Sequence, residues 1–143
     1  CEPACGPQLK CEGGLCRSDG LQERDWTFLV YMVADNNLSA FAYTDIDEME
    51  TIGSTNQVSI VVQAEFSSEH LELLDGAGDI SPELLDNSFR FEVGYHPKRA
   101  AIDEDIVTSG SIGNQYMSHP KSLTELIQWG ISQYQANHYA LAL

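Results

Sequence analysis

Two apolar runs and the stretch between them form the first recognisable unit of the chain. Residues 26–34 and 57–66 are rich in apolar and β-branched side chains, which is typical of strands buried on both faces of a sheet. Between them, apolar residues recur at spacings of three and four, which predicts an amphipathic helix near 38–52. Strand, helix and strand in this order predict a parallel pair with a right-handed crossover. The predicted buried face of the helix comprises Leu38, Phe41, Ala42, Ile46, Met49 and Ile52.

The end of the chain adds a helix followed by another strand. Pro120 suits the first turn of a helix, and the apolar spacing extends that helix to about 135. Residues 139–143 form a third apolar strand, and 89–94 predict a short one. The sequence therefore predicts an α/β fold in which 26–34, 58–63 and 139–143 are neighbouring parallel strands. The predicted buried face of the second helix comprises Leu123, Leu126, Ile127, Gly130, Ile131 and Tyr134.

Polar residues mark the ends and the solvent face of the first helix. Asp35, Asn36 and Asn37 follow the first strand, so they are expected to cap the helix, to border a cleft at the carboxyl end of the sheet, or to do both. Gly53 is the expected stop of the helix. The acidic residues expected on its solvent face are Asp45, Asp47, Glu48 and Glu50.

Length and charge restrict the class of protein. With 143 residues the chain has room for one domain, and a net charge of −15 disfavours nucleic acid and anionic membranes as partners. This negative charge is compatible with a cationic partner, either calcium or a basic peptide. The pair Asp45 and Asp47 begins like a calcium loop, but Met49 and Glu50 stand where a ligand and the turn glycine belong, so we expect no metal ligand there.

All four cysteines lie in the first 20 residues, among prolines and glycines that show no strand or helix period. They are Cys1, Cys5, Cys11 and Cys16. We therefore divide the chain into a Cys/Gly/Pro-rich tail or tether, residues 1–24, and a domain, residues 25–143. The spacings fit a zinc site poorly and disulfides better, with three pairings open. Disulfides imply an oxidising compartment.

Cys1 also allows a second interpretation. Bacterial lipoproteins begin, after removal of the signal peptide, with a cysteine that carries lipid and is followed by a flexible tether. A lipid on Cys1 would leave three cysteines and so only one bridge. Both interpretations place the protein outside the cytoplasm, either secreted or lipid-anchored at the bacterial cell surface, with the membrane contacted only through that lipid.

General catalytic motifs give no candidate centre. The segment Gly110-Ser-Ile-Gly113 is not a nucleophile elbow, and no His-Glu-x-x-His occurs. His70, His96, His119 and His138 have no cysteine or serine neighbour that suggests a charge-relay pair, so we expect ordinary surface or turn histidines.

Several blocks, in order, resemble the opening of the clostripain family of cysteine peptidases. The resemblance covers about residues 25–66 and 110–143. The blocks are WTFLVYMVADNNL at 26–38, DIDEME at 45–50, IGS at 52–54, VSIVVQ at 58–63, MSHPKSL at 117–123, LIQWG at 126–130 and NHYALAL at 137–143.

This resemblance implies a caspase-like three-layer sandwich with a mostly parallel sheet, incomplete in this chain. It also implies a cysteine–histidine dyad that cleaves peptides after a basic residue, preferably Arg. Family members are typically secreted or surface-attached, are made as precursors, and several depend on calcium. The implied partners are the downstream half of the same peptidase and a peptide or protein substrate that carries Arg or Lys.

The catalytic positions of the family lie beyond Leu143. The family's histidine follows the strand that ends there, in a Trp-x-His-Gly stretch, and its cysteine follows the next core strand. Neither His138 nor any of the four tail cysteines matches them, so we expect a light-chain-like portion that is inactive alone and supplies scaffold and cleft rim. The alternative is a catalytically inactive caspase-like module that binds ligands at a surface.

Overall fold

The computed structural model describes residues 24–67, 86–96 and 111–143 with their side chains, and residues 9–12 and 15–18 as backbone. The strands are β1 (Leu9–Glu12), β2 (Leu15–Ser18), β3 (Arg24–Ala34), β4 (Val58–Phe66), β5 (Ser88–Glu92), β6 (Ser111–Gly113) and β7 (Ala136–Ala142). The helices are α1 (Ser39–Glu50) and α2 (Pro120–Gln133). No described helix has the length and apolar character that a membrane span needs.

Strands β3 to β7 form one mixed sheet in the order β6-β5-β4-β3-β7. The three core strands β4, β3 and β7 are parallel, with Leu29 of β3 beside Val61 on one side and Leu141 on the other. β5 and β6 add antiparallel strands at the β4 side. The predicted α/β fold and its three neighbouring parallel strands are confirmed.

The two helices cover opposite faces of this sheet. Ala42 and Ile46 of α1 share a core cluster with Val62, Ala64 and Phe66 of β4. Leu126 of α2 packs instead with Tyr31 and Met117. Because successive side chains of a strand point to opposite faces, Tyr31 and its neighbours Val30 and Met32 belong to different layers. The result is helix, sheet and helix, as expected of part of a caspase-like sandwich.

The face of α1 that is buried differs from the predicted one. Leu38, Phe41 and Ile52 are exposed by 55 %, 61 % and 69 %, whereas Glu50, expected in solvent, is 1 % exposed. The backbone oxygen of Glu50 accepts a hydrogen bond from the N–H of His96 at 2.9 Å, which draws this end of the helix under a neighbouring loop. The position of the helix was predicted correctly, but its buried stripe was predicted only in part. The reason is that the sheet covers only a narrow side of α1.

α2 begins and packs as expected over most of its length. Leu126 and Gly130 are buried, but Ile131 is 45 % exposed, contrary to the prediction. A Cβ on Gly130 would lie 2.4 Å from Cδ2 of Leu29, so the missing side chain is what lets the helix approach β3. Ile131 follows directly and faces away from that contact.

Gly53 ends the α1 turn in the way the sequence predicts. Its φ is +64°, a left-handed conformation that glycine adopts without strain. A Cβ there would lie 2.6 Å from the backbone of Tyr95. Its N–H donates to the carbonyl of Met49 at 2.8 Å, which closes the helix.

β1 and β2 form a separate two-stranded antiparallel sheet. The sequence analysis expected only irregular structure here and missed this hairpin. Its register sets Cys11 opposite Cys16 along the backbone. Arg24, assigned to the tail from sequence, is instead the first residue of β3 and bonds through its guanidinium to Ser59 and Glu92.

Candidate functional site

A cleft of about 760 Å³ opens at the carboxyl ends of β3 and β7. Ligands of open parallel sheets bind at this end, because loops there diverge from the strands they follow. Its base is formed by residues 30–34 of β3 and by Ala142 and Leu143 at the end of β7. One wall comes from Leu38 and α1, and the other from the residues that lead into α2.

Asn36 shapes the turn between β3 and α1. Its Oδ1 accepts from the N–H of Leu38 at 2.8 Å, and its Nδ2 donates to the carbonyl of Val33 at 2.9 Å. The helix cap itself is Leu38, which has no side-chain acceptor, so the expectation that residues 35–37 cap the helix is wrong. Asn36 instead joins the strand end to the residue before the helix.

The predicted cleft rim adjoins the cavity without being among its lining residues. Ala34 and Leu38, on either side of Asp35, Asn36 and Asn37, line the cleft. Asp35 and Asn37 are exposed and Asn36 is half-buried. Their participation in binding therefore stays a prediction.

The second wall is residues 117–120, the entry to α2. His119 is the helix cap, and its Nδ1 accepts from the N–H of Lys121 at 3.1 Å, followed by Pro120 in the first turn. Met117 is 3 % exposed, and its carbonyl accepts from the hydroxyl of Tyr31 at 2.7 Å. The wall is thus attached to β3 by a buried hydrogen bond.

A row of three polar side chains crosses the sheet beneath this wall. Tyr31, Gln63 and Arg90 are register neighbours on β3, β4 and β5. Gln63 is fully buried, and its Nε2 donates to Oγ of Ser122 at 3.0 Å. Sequence analysis passed over Gln63, although a glutamine inside a strand predicted to be buried on both faces was a usable signal.

Glu65 lies at the carboxyl end of β4 and is 4 % exposed. Burial raises the pKa of its carboxyl, the negative charges of Asp35 and Asp86 raise that pKa further, and a hydrogen bond with Ser88 opposes them. This raised pKa was not predicted, because it depends on burial and on Asp86, which is distant in sequence.

Residues 24–67, 86–96 and 111–143 contain no cysteine, so no histidine–cysteine pair lies among the described side chains of the cleft. His138 lies near the amino end of β7, beside Trp26, with their ring centroids 4.8 Å apart. His70, Cys1 and Cys5 lie outside the described residues, as do the side chains of Cys11 and Cys16. None of the described residues that line the cleft is a cysteine.

The part of the chain that the structure describes also contains no cluster of metal-binding side chains. In it no cluster of three or more His, Cys, Asp or Glu side chains could hold an ion. Asp45 and Asp47 lie within α1, as the sequence analysis expected, and not in a loop.

The described residues of the cleft therefore form a surface that includes no cysteine. The lining is mainly apolar and carries Asp45, Ser118 and His119 at its margins. Such a surface can hold an extended peptide and exclude water from it.

Comparison with known protein families gives a match over most of the chain. The model of the clostripain family matches residues 30–143, which includes residues 30–34 of β3 and all of α1, α2 and β7. None of the curated proteins matches the chain.

Proposed function

The chain belongs to the clostripain family of cysteine peptidases, and we propose that it is the amino-terminal, light-chain-like portion of an endopeptidase that cleaves after Arg or Lys. In this proposal the chain supplies the scaffold and two walls of the substrate cleft. A downstream segment of the same protein supplies the catalytic histidine and cysteine. The dyad then acts as a unit, in which the base raises the thiolate fraction of the nucleophile.

The exposure of β7 is the observation that carries the proposal. Its apolar sequence is typical of a core strand, yet the side chains of Tyr139, Leu141 and Leu143 are exposed by 38 %, 44 % and 84 %. Its one strand partner within the described residues is β3. A contiguous apolar surface on a sheet edge is typical of an interface, and here it ends at the cleft.

Charge supports a basic substrate. Among the described residues that line the cleft, Asp45 is the one acidic side chain, and the whole chain carries a net charge of −15. A negative surface raises the local concentration of a cationic peptide and speeds its association. The same charge is compatible with the calcium dependence implied by the family resemblance, which we keep as part of the proposal.

Complementation tests the proposal. The chain alone, the downstream segment alone, the two together and the uncut precursor are assayed on a fluorogenic peptide with Arg before the reporter. A peptide with Glu at that position is the matched control, and each assay is run with calcium and with a calcium chelator. We expect turnover of the Arg peptide only when both segments are present.

Each other outcome removes a defined part of the proposal. Turnover by the chain alone would show that the dyad is not downstream. Equal turnover of the Glu peptide would remove the basic specificity, and equal rates with chelator would remove calcium. Binding of the Arg peptide without turnover by the complete protein would favour the inactive surface module.

We also propose an extracytoplasmic location, with bridges or a lipid in the tail. Trypsin cleaves after Lys10 and Arg17, so it separates Cys1 and Cys5 from Cys11 and Cys16. Without reductant, two internally bridged peptides would indicate the 1–5 and 11–16 pairing, and one cross-linked pair either of the other pairings. A lipid would add its mass to peptide 1–10; four free thiols and no lipid would contradict the proposal.

A further inference from the structure

A chain of contacts leads from α2, across the face of the sheet that α2 covers, to the wall of the cleft. Arg90 lies over the ring of Trp129, 5.7 Å from its centroid. Its Nε donates to Oε1 of Gln63 at 2.6 Å. Nε2 of Gln63 in turn lies 3.0 Å from Sδ of Met117, whose backbone and side chain form part of the wall.

The direction of these contacts is fixed by the chemistry of their first member. A guanidinium carries only donors, so the side of Gln63 that faces Arg90 has to be its oxygen. The amide nitrogen of Gln63 is then turned to the opposite side, where Met117 and Ser122 offer acceptors. Arg90 therefore determines which atom of Gln63 faces the wall.

Met117 is held from two independent directions. Gln63 contacts its sulfur, and the Tyr31 hydroxyl donates to its carbonyl at 2.7 Å. Both contacts are buried, and a buried amide that loses its acceptor bears a desolvation cost. The hydroxyl of Ser122 also lies 3.7 Å from this sulfur, so a shift of Met117 would disturb three buried contacts at once.

We propose that Gln63 is a positioning residue for substrate binding, which holds Met117, and through it the second wall of the cleft, in the shape that accepts a peptide. The inference rests on the proposed peptidase function, because it concerns the same cleft. Gln63 contacts neither the substrate nor the reacting atoms; it acts through Met117. A wall that is formed before the substrate arrives lowers the ordering cost of binding.

Gln63→Glu is the most selective change. Glutamate keeps the size of the side chain and still accepts from Arg90, but it has no donor for the Met117 sulfur. In the protein that carries this chain and its downstream segment, we expect KM for the Arg peptide to rise by roughly fivefold, with kcat within about twofold. In the same protein labelled with ¹³C-methyl methionine, the Met117 methyl resonance should move, while those of Met32 and Met49 stay in place.

Gln133→Glu is the matched control. Gln133 is exposed at the end of α2 and donates only to its neighbour Ser132 among the described contacts. The Gln133→Glu substitution makes the same charge change as Gln63→Glu, but at a position away from Met117. It should therefore leave KM and the Met117 resonance unaltered. A KM effect of equal size in this control would assign the effect to charge and overturn the proposal.

Tyr31→Phe keeps the proposal testable if Gln63→Glu fails to fold. It removes only the hydroxyl that reaches the Met117 carbonyl, and it should also raise KM and move the Met117 resonance. Unchanged KM and resonance in a folded Gln63→Glu, or in Tyr31→Phe where the first variant is unfolded, would overturn the inference. A complete protein without any turnover would instead count against the proposed function, and the Met117 resonance would still report on the positioning.

Discussion

Strands β4 and β7 flank the same neighbour, β3, and differ in what covers them. Residues 61–66 of β4 are all buried, whereas β7 has no buried residue. Most side chains of both strands are apolar, and each strand also includes polar residues, so the difference is not one of composition. β4 has strands on both sides and side chains of α1 and of α2 packed against it, while β7 has a strand on one side within the described residues.

This difference shows that the apolar pattern of a strand indicates the environment to which its sequence is suited. That environment can differ from the exposure of the strand in this chain. The large apolar side chains of β7, Tyr139 and Leu141, are costly to leave in water, since each large apolar side chain is worth about 1.5–3 kcal/mol when buried. β7 thus has the sequence of a central strand and the exposure of an edge. In our proposal the downstream segment removes this contrast by covering β7.

The largest expected effect is a stability contrast between two leucines that are register neighbours. Leu29 is 2 % exposed and Leu141 is 44 % exposed. Leu29→Ala should lower the free energy of unfolding by about 2–5 kcal/mol, and Leu141→Ala by less than about 1 kcal/mol in the chain alone. Urea unfolding followed by circular dichroism measures both. Equal losses would show that β7 is already as well packed as β3.

The next largest effect is expected from a comparison of two glycines with positive φ. An added Cβ would meet the neighbouring backbone at one of them and only open space at the other. Gly53 has the Tyr95 backbone 2.6 Å from an added Cβ, and Gly113 has no atom within 4 Å. Gly113→Ala should cost about 1–2 kcal/mol from left-handed strain, and Gly53→Ala more, because the backbone must also move. If thermal unfolding ranked the two in the opposite order, the close approach at Gly53 would not matter.

A smaller, pH-dependent effect probes the carboxyl end of β4. Because the pKa of Glu65 is raised in the folded protein, its ionisation is less favourable there than in the unfolded chain. The folded state therefore gains most from Glu65 at low pH, and loses that gain as pH rises from the ordinary carboxyl range through the raised pKa. Glu65→Gln should raise the thermal midpoint at pH 7 and flatten its decline as the pH rises beyond the ordinary carboxyl range.

Glu48→Gln, on the exposed side of α1, is the control for that variant. It should shift the midpoint little and keep the wild-type slope with pH. A steeper decline in Glu65→Gln than in the wild type would mean that the ionised form is the one the fold stabilises.

The smallest expected effect is that of the tail. Residues 1–23 precede β3, and the hairpin within them belongs to a separate sheet. Deleting these residues, while keeping Arg24 and its bond to Glu92, should leave the thermal midpoint within a few degrees. A fall comparable to that of Leu29→Ala would show that the tail is part of the fold.

The spacing of apolar residues along the sequence was enough to predict the parallel core, because strands and helices are recognised from residues that are close in sequence. It was not enough for the burial of Glu50 or the exposure of Phe41, which depend on how far the sheet extends over α1. Nor could it find the contact of Gln63 with Ser122, since the two are 59 residues apart. The cleft itself was expected from the strand order, but its second wall at Met117 depends on such distant contacts.

The central claim, that this chain shapes the cleft and another segment carries the nucleophile, is tested most directly by a covalent trap. An Arg peptide with a thiol-reactive carbonyl is incubated with the chain alone and with the complete protein, and the adduct is located by mass spectrometry. The account predicts one adduct, on a cysteine downstream of Leu143, and none on the chain alone. An adduct on Cys1, Cys5, Cys11 or Cys16 of the isolated chain that forms at the rate of substrate turnover would contradict it.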